Sequence, residues 1–230
     1  MQNLDTLVEV VFELRFKPAP LGITELLPGI LYEKLKSLKL KPKLDVYPFH
    51  ELPKDVLSLN QELAYLPYKR LSMEDENLYI QFAHYALFLN NPKPYLGWEK
   101  FRDFVEILIK TIGDCGFEYI PESIGLRYIN LVPSHVKVNM QMEFGGWKNS
   151  NFRNIAVKVD LEEEDKNIIL RFMHPARVIT KTGVEEGTLV DITIYNPRPR
   201  GLEVENLGEM HDTIKHVFFN RLVCTGQKMP

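Results

Sequence analysis

Glu74-Asp75-Glu76-Asn77-Leu78-Tyr79-Ile80-Gln81-Phe82-Ala83-His84 returns later in the chain as Glu164-Asp165-Lys166-Asn167-Ile168-Ile169-Leu170-Arg171-Phe172-Met173-His174. Five positions are identical and two more exchange Leu for Ile. Each copy starts with an acidic, Asn-ended stretch and runs into an apolar segment, which reads as a turn feeding a strand. Two further matches keep the same order. Asn91-Pro92-Lys93-Pro94 corresponds to Asn196-Pro197-Arg198-Pro199, each ahead of an amphipathic helix. Leu14-Arg15-Phe16 corresponds to Leu126-Arg127-Tyr128, each inside a strand. Three matches in one order predict a tandem duplication, with units 1–114 and 115–230. The units differ in their insertions. The first holds a helix over Ile23–Leu40 where the second has Val136–Phe144, and the second has a longer excursion around Pro175–Gly187.

Working outward, Val8, Val10, Phe12, Leu14 and Phe16 alternate with Glu9, Glu13 and Arg15. Successive strand side chains point to opposite faces, so this is a half-buried strand. The Ile23–Leu40 helix buries Ile30, Leu31, Leu35 and Leu38, with Pro28 in or at its first turn. Leu44–Leu66 reads as a long loop. Short strands follow over Tyr68–Met73, Leu78–His84 and Tyr85–Asn90. A helix over Trp98–Ile112 turns Trp98, Phe101, Val105, Leu108 and Ile112 inward. The second half reads as strands over Ser123–Val132, Val136–Phe144, Ile155–Glu163, Ile168–Met173 and Thr188–Tyr195. A last helix covers Leu207–Val223, with Asn206 and Glu209 as a capping pair. The expected fold class is α+β: antiparallel sheets with helices packed on one face, in a pseudo-twofold arrangement of two units.

Composition bounds this reading. The chain has 230 residues, 45% of them hydrophobic, with 28 Lys+Arg against 31 Asp+Glu and a net charge of −3. Those values belong to a globular chain and exclude a disordered, collagen-like or strongly basic one. Met1–Asp5 has no basic region ahead of an apolar core, so no signal peptide is expected. No stretch reaches the roughly 20 uncharged apolar residues of a spanning helix. Two cysteines, Cys115 and Cys224, make no disulfide framework and suit a reduced, cytoplasmic setting.

The strand Val8–Phe16 and the segment Gly125-Leu126-Arg127-Tyr128-Ile129-Asn130, with an aromatic-rich helix between, resemble a sporadically distributed prokaryotic family of uncharacterised proteins. The resemblance spans most of the chain. It implies the architecture and a prokaryotic source, and carries over no catalytic residue.

Known chemical signatures are missing from the sequence. His211 and His216 are five apart on a helix and point to different faces, where a zinc pair wants a spacing of four with a Glu between. The acidic tips Glu74–Glu76 and Glu162–Asp165 lack the glycine of a calcium loop and read as solvated turns that blunt edge strands. There is no phosphate loop, dinucleotide fingerprint or nucleophile elbow. Cys115 sits beside Asp114, which works against a thiolate. No metal and no cofactor is expected. Lys34, Lys36, Lys39, Lys41 and Lys43 complement the end of the first helix, or form an anion- or nucleic-acid-binding patch.

Cation type separates the halves. Residues 1–115 hold 11 Lys and 3 Arg, and residues 116–230 hold 7 of each. Arginine is the residue for bidentate contacts to phosphate or carboxylate. Arg127 shares a strand face with Ile129 and Leu131, so it needs a partner: an Asp or Glu across the sheet, or an anionic ligand. The ligand-binding candidates are Arg127, Asn130, Arg171, His174, Arg198 and Arg200; His174 also reads as a structural hydrogen-bonding residue. The expected function is a non-enzymatic binding or regulatory module. One alternative is an enzyme acting on a phosphorylated or carboxylated substrate at an inter-repeat cleft. A second is a nucleic-acid binder, which net charge −3 disfavours. The expected partner is a protein or a small anionic ligand, with no membrane, and exposed strand edges leave homo-oligomerisation open.

Overall fold

The computed structural model describes residues 6–17, 22–47, 61–116, 120–148, 153–163, 166–180, 183–197, 199 and 205–223. In chain order the elements are β1 (Leu7–Phe16), α1 (Gly22–Ser37), β2 (Lys43–Val46), a 3-10 turn (Gln61–Tyr65), β3 (Lys69–Met73), a second 3-10 turn (Glu74–Glu76), β4 (Leu78–Phe82), β5 (Ala86–Pro92) and α2 (Trp98–Asp114). The second half holds β6 (Pro121–Val132), β7 (Glu143–Phe144), β8 (Trp147–Lys148), β9 (Ile155–Glu163), β10 (Lys166–Thr180), β11 (Gly183–Asn196) and α3 (Glu205–His216), which runs into a π-helical segment (Val217–Leu222). The class is mixed α and β with a large antiparallel sheet. Its strand order is β2-β3-β4-β5-β1-β6-β11-β10-β9, and β7 and β8 form a separate hairpin. No helix among the described residues is long and apolar enough to cross a membrane.

Contacts divide the chain into two compact units. One comprises Val10–Gly125 and Asn196–Val204. Its core is built by alternation: Val10, Phe12, Leu14 and Phe16 are buried while Glu13 and Arg15 between them are partly exposed. In α2 the expected stripe is found at Phe101, Val105, Leu108 and Ile112, which are buried, while Trp98 at its start is only half-buried. Arg102 ties that helix's outer face by reaching Glu99 at 2.7 Å and Glu106 at 3.5 Å. Asn91 is fully buried. It donates to the carbonyl of Asn77 at 2.9 Å and accepts from the Leu96 amide at 2.9 Å. Asn77 takes the left-handed conformation, φ 51°, and donates to the carbonyl of Pro94 at 3.0 Å. The recurring Asn and Pro residues of this half therefore staple the β3–β4 turn to the connection entering α2.

The other unit comprises Met1–Glu9, Leu126–Tyr195 and Glu205–Pro230. Ile168, Leu170 and Phe172 of β10 and Val190, Ile192 and Ile194 of β11 are buried, together with Leu207, Met210 and Ile214 of α3. At Gly187 the backbones of β11 and β6 come very close. A Cβ there would lie 2.3 Å from the carbonyl oxygen of Val132, so only glycine fits. Gly145 and Gly146 have φ of 55° and 89° and close the two-residue β7–β8 turn.

Several expectations are corrected. Val136–Phe144 is not a strand: β7 covers only its end, and Val138 makes an isolated bridge to Val223. The alternation there is answered by the end of the C-terminal helical segment. Asn139 donates through its amide to Leu222 and through its side chain to Arg221. The excursion around Pro175–Gly187 is instead the far half of a hairpin. There β10 and β11 continue past a register shift between Met173 and Ala176. Pro175 sits at that shift, where the ladder asks for no amide. In α1, Leu27, Leu31 and Leu35 are buried while Ile30 and Leu38 are exposed, and Pro28 lies inside the helix rather than in its first turn. Asn206 is likewise inside α3, not ahead of it. Leu44–Leu66 contains β2 and a 3-10 turn. Its residues 48–60 lie outside the described residues, as do Glu164-Asp165 and Cys224.

Candidate functional site

Three neighbouring strands of the second unit bring the site together. On β11, Asp191 interrupts an apolar run and points away from the buried row of Val190, Ile192 and Ile194. On β10, Arg171 stands directly opposite Asp191 in the antiparallel register. On β6, Arg127 alternates with the buried Leu126 and Tyr128 and so points toward Asp191.

The geometry is two guanidiniums on one carboxylate. Arg127 donates from Nε to Oδ1 of Asp191 at 2.9 Å and from Nη2 to Oδ2 at 2.7 Å, a bidentate pair. Arg171 donates from Nη1 to Oδ2 at 3.3 Å and to the Thr193 hydroxyl at 3.3 Å. The Asp191 side chain is 1% exposed, against 39% for Arg127 and 37% for Arg171. A buried charge must be paired, and Asp191 is paired twice. Two cations thus share one buried anion, and both guanidiniums are open to solvent. Lys158 on β9 stands opposite Arg171 and pairs with Asp160 of its own strand at 3.0 Å.

The other candidates lie elsewhere. Asn130 is three residues from Arg127 and therefore on the opposite face of β6, where its carbonyl oxygen accepts from the Thr6 hydroxyl at 3.2 Å. His174 is three residues from Arg171. Its Nδ1 lies 3.0 Å from the Thr188 hydroxyl, away from the arginine pair. Arg198 and Arg200 lie outside the described residues. Arg177 pairs with Glu186 at 2.7 Å on the exposed hairpin. His84 stacks on Tyr68 with centroids 4.7 Å apart.

Two groups of interest were not singled out in sequence as partners of these residues. Asp191 carries a signal, since a lone acid amid Leu189-Val190 and Ile192-Thr193-Ile194 must find a cation. The second is the pair of Tyr128 and His211, whose hydroxyl oxygen and Nδ1 lie 2.6 Å apart. Burial first, and then the nearby Lys215, pull the His211 pKa down to about 4 against the opposing effect of Asp212. The ring is therefore neutral at pH 7, and its Nδ1 shares a hydrogen bond with the Tyr128 hydroxyl. Cys115 is not an activated nucleophile: burial, then Asp114, raises its pKa. Among the described residues no group of three His, Cys, Asp or Glu side chains could hold a metal ion.

Fold and site together define a mixed α and β chain whose large antiparallel sheet carries a carboxylate-anchored arginine pair on a polar face. No protein-family model matches the sequence, and no curated protein matches it.

Proposed function

We propose that this is a non-enzymatic binding protein that takes a phosphate or carboxylate group on Arg127 and Arg171. One observation carries the reading: a buried carboxylate fixes two guanidiniums that are each more than a third exposed. Orientation by Asp191 lowers the entropy lost when a ligand is gripped. Solvent-exposed, planar guanidiniums suit anionic two-oxygen groups. Both Asp191 oxygens accept from arginine, and Thr193 accepts from Arg171, so the cluster is arranged to hold rather than to move a proton.

A tandem duplication is part of the same reading, and the strand orders support it. Among the strands of the first half the order is β3-β4-β5-β1, and among those of the second it is β9-β10-β11-β6. The matched sequence segments fall at equivalent places in these two series. Arg15 and Arg127 are then counterparts. Arg15 pairs with Glu13 and lies over the Tyr65 ring at 4.6 Å, so it is neutralised one to one. Arg127 shares its acid with a second arginine. Membership of the prokaryotic family that the first strand and the Gly125–Asn130 segment resemble is part of the same proposal.

Calorimetric titration at low ionic strength with inorganic phosphate, pyrophosphate, acetate and citrate tests the reading. Saturable binding of at least one anion is expected, weakened about tenfold or more by Arg171→Gln, because a charge-assisted hydrogen bond is worth about 1.5–3 kcal/mol. Binding by none of the four, or equal binding by the variant, would overturn it.

A further inference from the structure

We infer that the chain pairs with a second copy of itself along β9, edge to edge and antiparallel, about a twofold axis at Val159. The strand order ends at β9, which is hydrogen-bonded to β10 on one side. Nine residues make it long for an edge. All six positions from Lys158 to Glu163 are exposed. Val159 and Leu161 stand opposite Leu170 and Ile168, which are buried, yet they are themselves 36% and 38% exposed. The apolar row of this sheet face thus runs out uncovered at the edge.

Charge identifies the occupant. On the other face of β9, Lys158 and Asp160 project side by side, one of each sign, with Glu162 beyond them. The acidic end Glu162–Glu163 does not blunt the strand against this pairing, because with the axis at Val159 it falls opposite the uncharged Ala156 and Ile155 of the second copy. With Val159 opposite Val159 of the second copy, each Lys158 faces the other copy's Asp160. On the apolar face each Val157 then meets the other copy's Leu161. Moving the axis to Lys158 sets lysine against lysine; moving it to Asp160 sets aspartate against aspartate at the axis, although Lys158 then meets the other copy's Glu162. Residues directly opposite on one face interact most strongly, and of these three registers the one about Val159 alone sets no like charges opposite each other. A twofold axis makes the contact isologous and closed.

The edge spans about 30 Å, and one strand pair is small beside the roughly 1,600 Å² of a standard interface. The dimer is therefore weak, with a dissociation constant on the order of 10 µM. Its axis stands normal to the sheet, so both arginine pairs lie on one side, with the two Arg171 residues about 16 Å apart by strand spacing. The dimer itself does not depend on anion binding.

Sedimentation velocity of the full chain without ligand, from about 1 to 200 µM, tests this. Reversible dimerisation is expected. Lys158→Asp or Asp160→Lys alone should weaken it about tenfold or more, by placing like charges opposite each other twice. The double exchange, Lys158→Asp with Asp160→Lys, should restore it. Circular dichroism confirms that each variant is folded, and the exposed positions make unfolding improbable as a cause. A monomer throughout the range would overturn the inference. So would a dimer indifferent to the single changes, or one that the double exchange fails to restore.

Discussion

Replacing Asp191 by Asn changes the site by one charge at nearly constant shape. In the folded protein Asp191 accepts three hydrogen bonds, two from Arg127 and one from Arg171. Asparagine keeps one acceptor oxygen and turns an NH2 group toward a guanidinium that can only donate. Two cations are then left facing each other without the anion between them. Breaking a buried pair costs about 3–5 kcal/mol. Both arginines are partly open to solvent, which screens their repulsion, so about 2–3 kcal/mol is expected here. For a chain of this size each kcal/mol moves Tm by roughly 2–4 °C, which gives a loss of about 4–12 °C. Differential scanning calorimetry at pH 7 in a chloride buffer measures it. Inorganic phosphate should recover part of the loss, since an anion bound to the folded state stabilises by mass action. A variant within about 0.5 kcal/mol of the parent would show that Asp191 does not hold the two arginines, and the site argument would fail with it.

Three other outcomes are expected. The neutral His211 ring favours folding when its charged form is excluded, so this contribution is complete above pH 6.5 and is lost as pH falls from 6.5 toward about 4. The full shift corresponds to about 3 kcal/mol, and partial exposure of the ring reduces that to about 1–2 kcal/mol. The imidazole proton resonances should not titrate above pH 5, and a midpoint near 6.5 would contradict the burial argument. Gly187→Ala forces a Cβ against the Val132 carbonyl, and urea unfolding should report a loss of at least about 2 kcal/mol or failure to fold. Asn91→Ala strands the Leu96 amide and the Asn77 carbonyl, costing about 2–3 kcal/mol in the same assay.

Much of the fold was legible because it depends on local pattern. The alternation in β1 and the stripe in α2 are statements about one segment and its own two faces, and β9 runs over the residues read for it, Ile155–Glu163. Val136–Phe144 failed for the same reason that β1 succeeded. Alternating apolar residues say that one side is covered, not by what, and here a helical end covers it through one bridge. The stretch around Pro175–Gly187 reads as an excursion, yet a register shift accommodates the proline and the strand continues. At the site, a partner for Arg127 was expected across the sheet, but which acid depends on β6 lying beside β11, sixty-four positions away in sequence. Strand order is a tertiary fact, and no local period encodes it. Asn130 and His174 each stand three residues from an arginine of the site, and the twofold alternation of a strand places them on the other face.

The central claim is that Arg127 and Arg171 form one anion site. Observing their Nε–H resonances by 15N-edited NMR during a phosphate titration tests it most directly. Both signals should move together, with one affinity, and Arg171→Gln should abolish the movement of Arg127. Signals that stay fixed to millimolar phosphate, or that move with unrelated affinities, would contradict it.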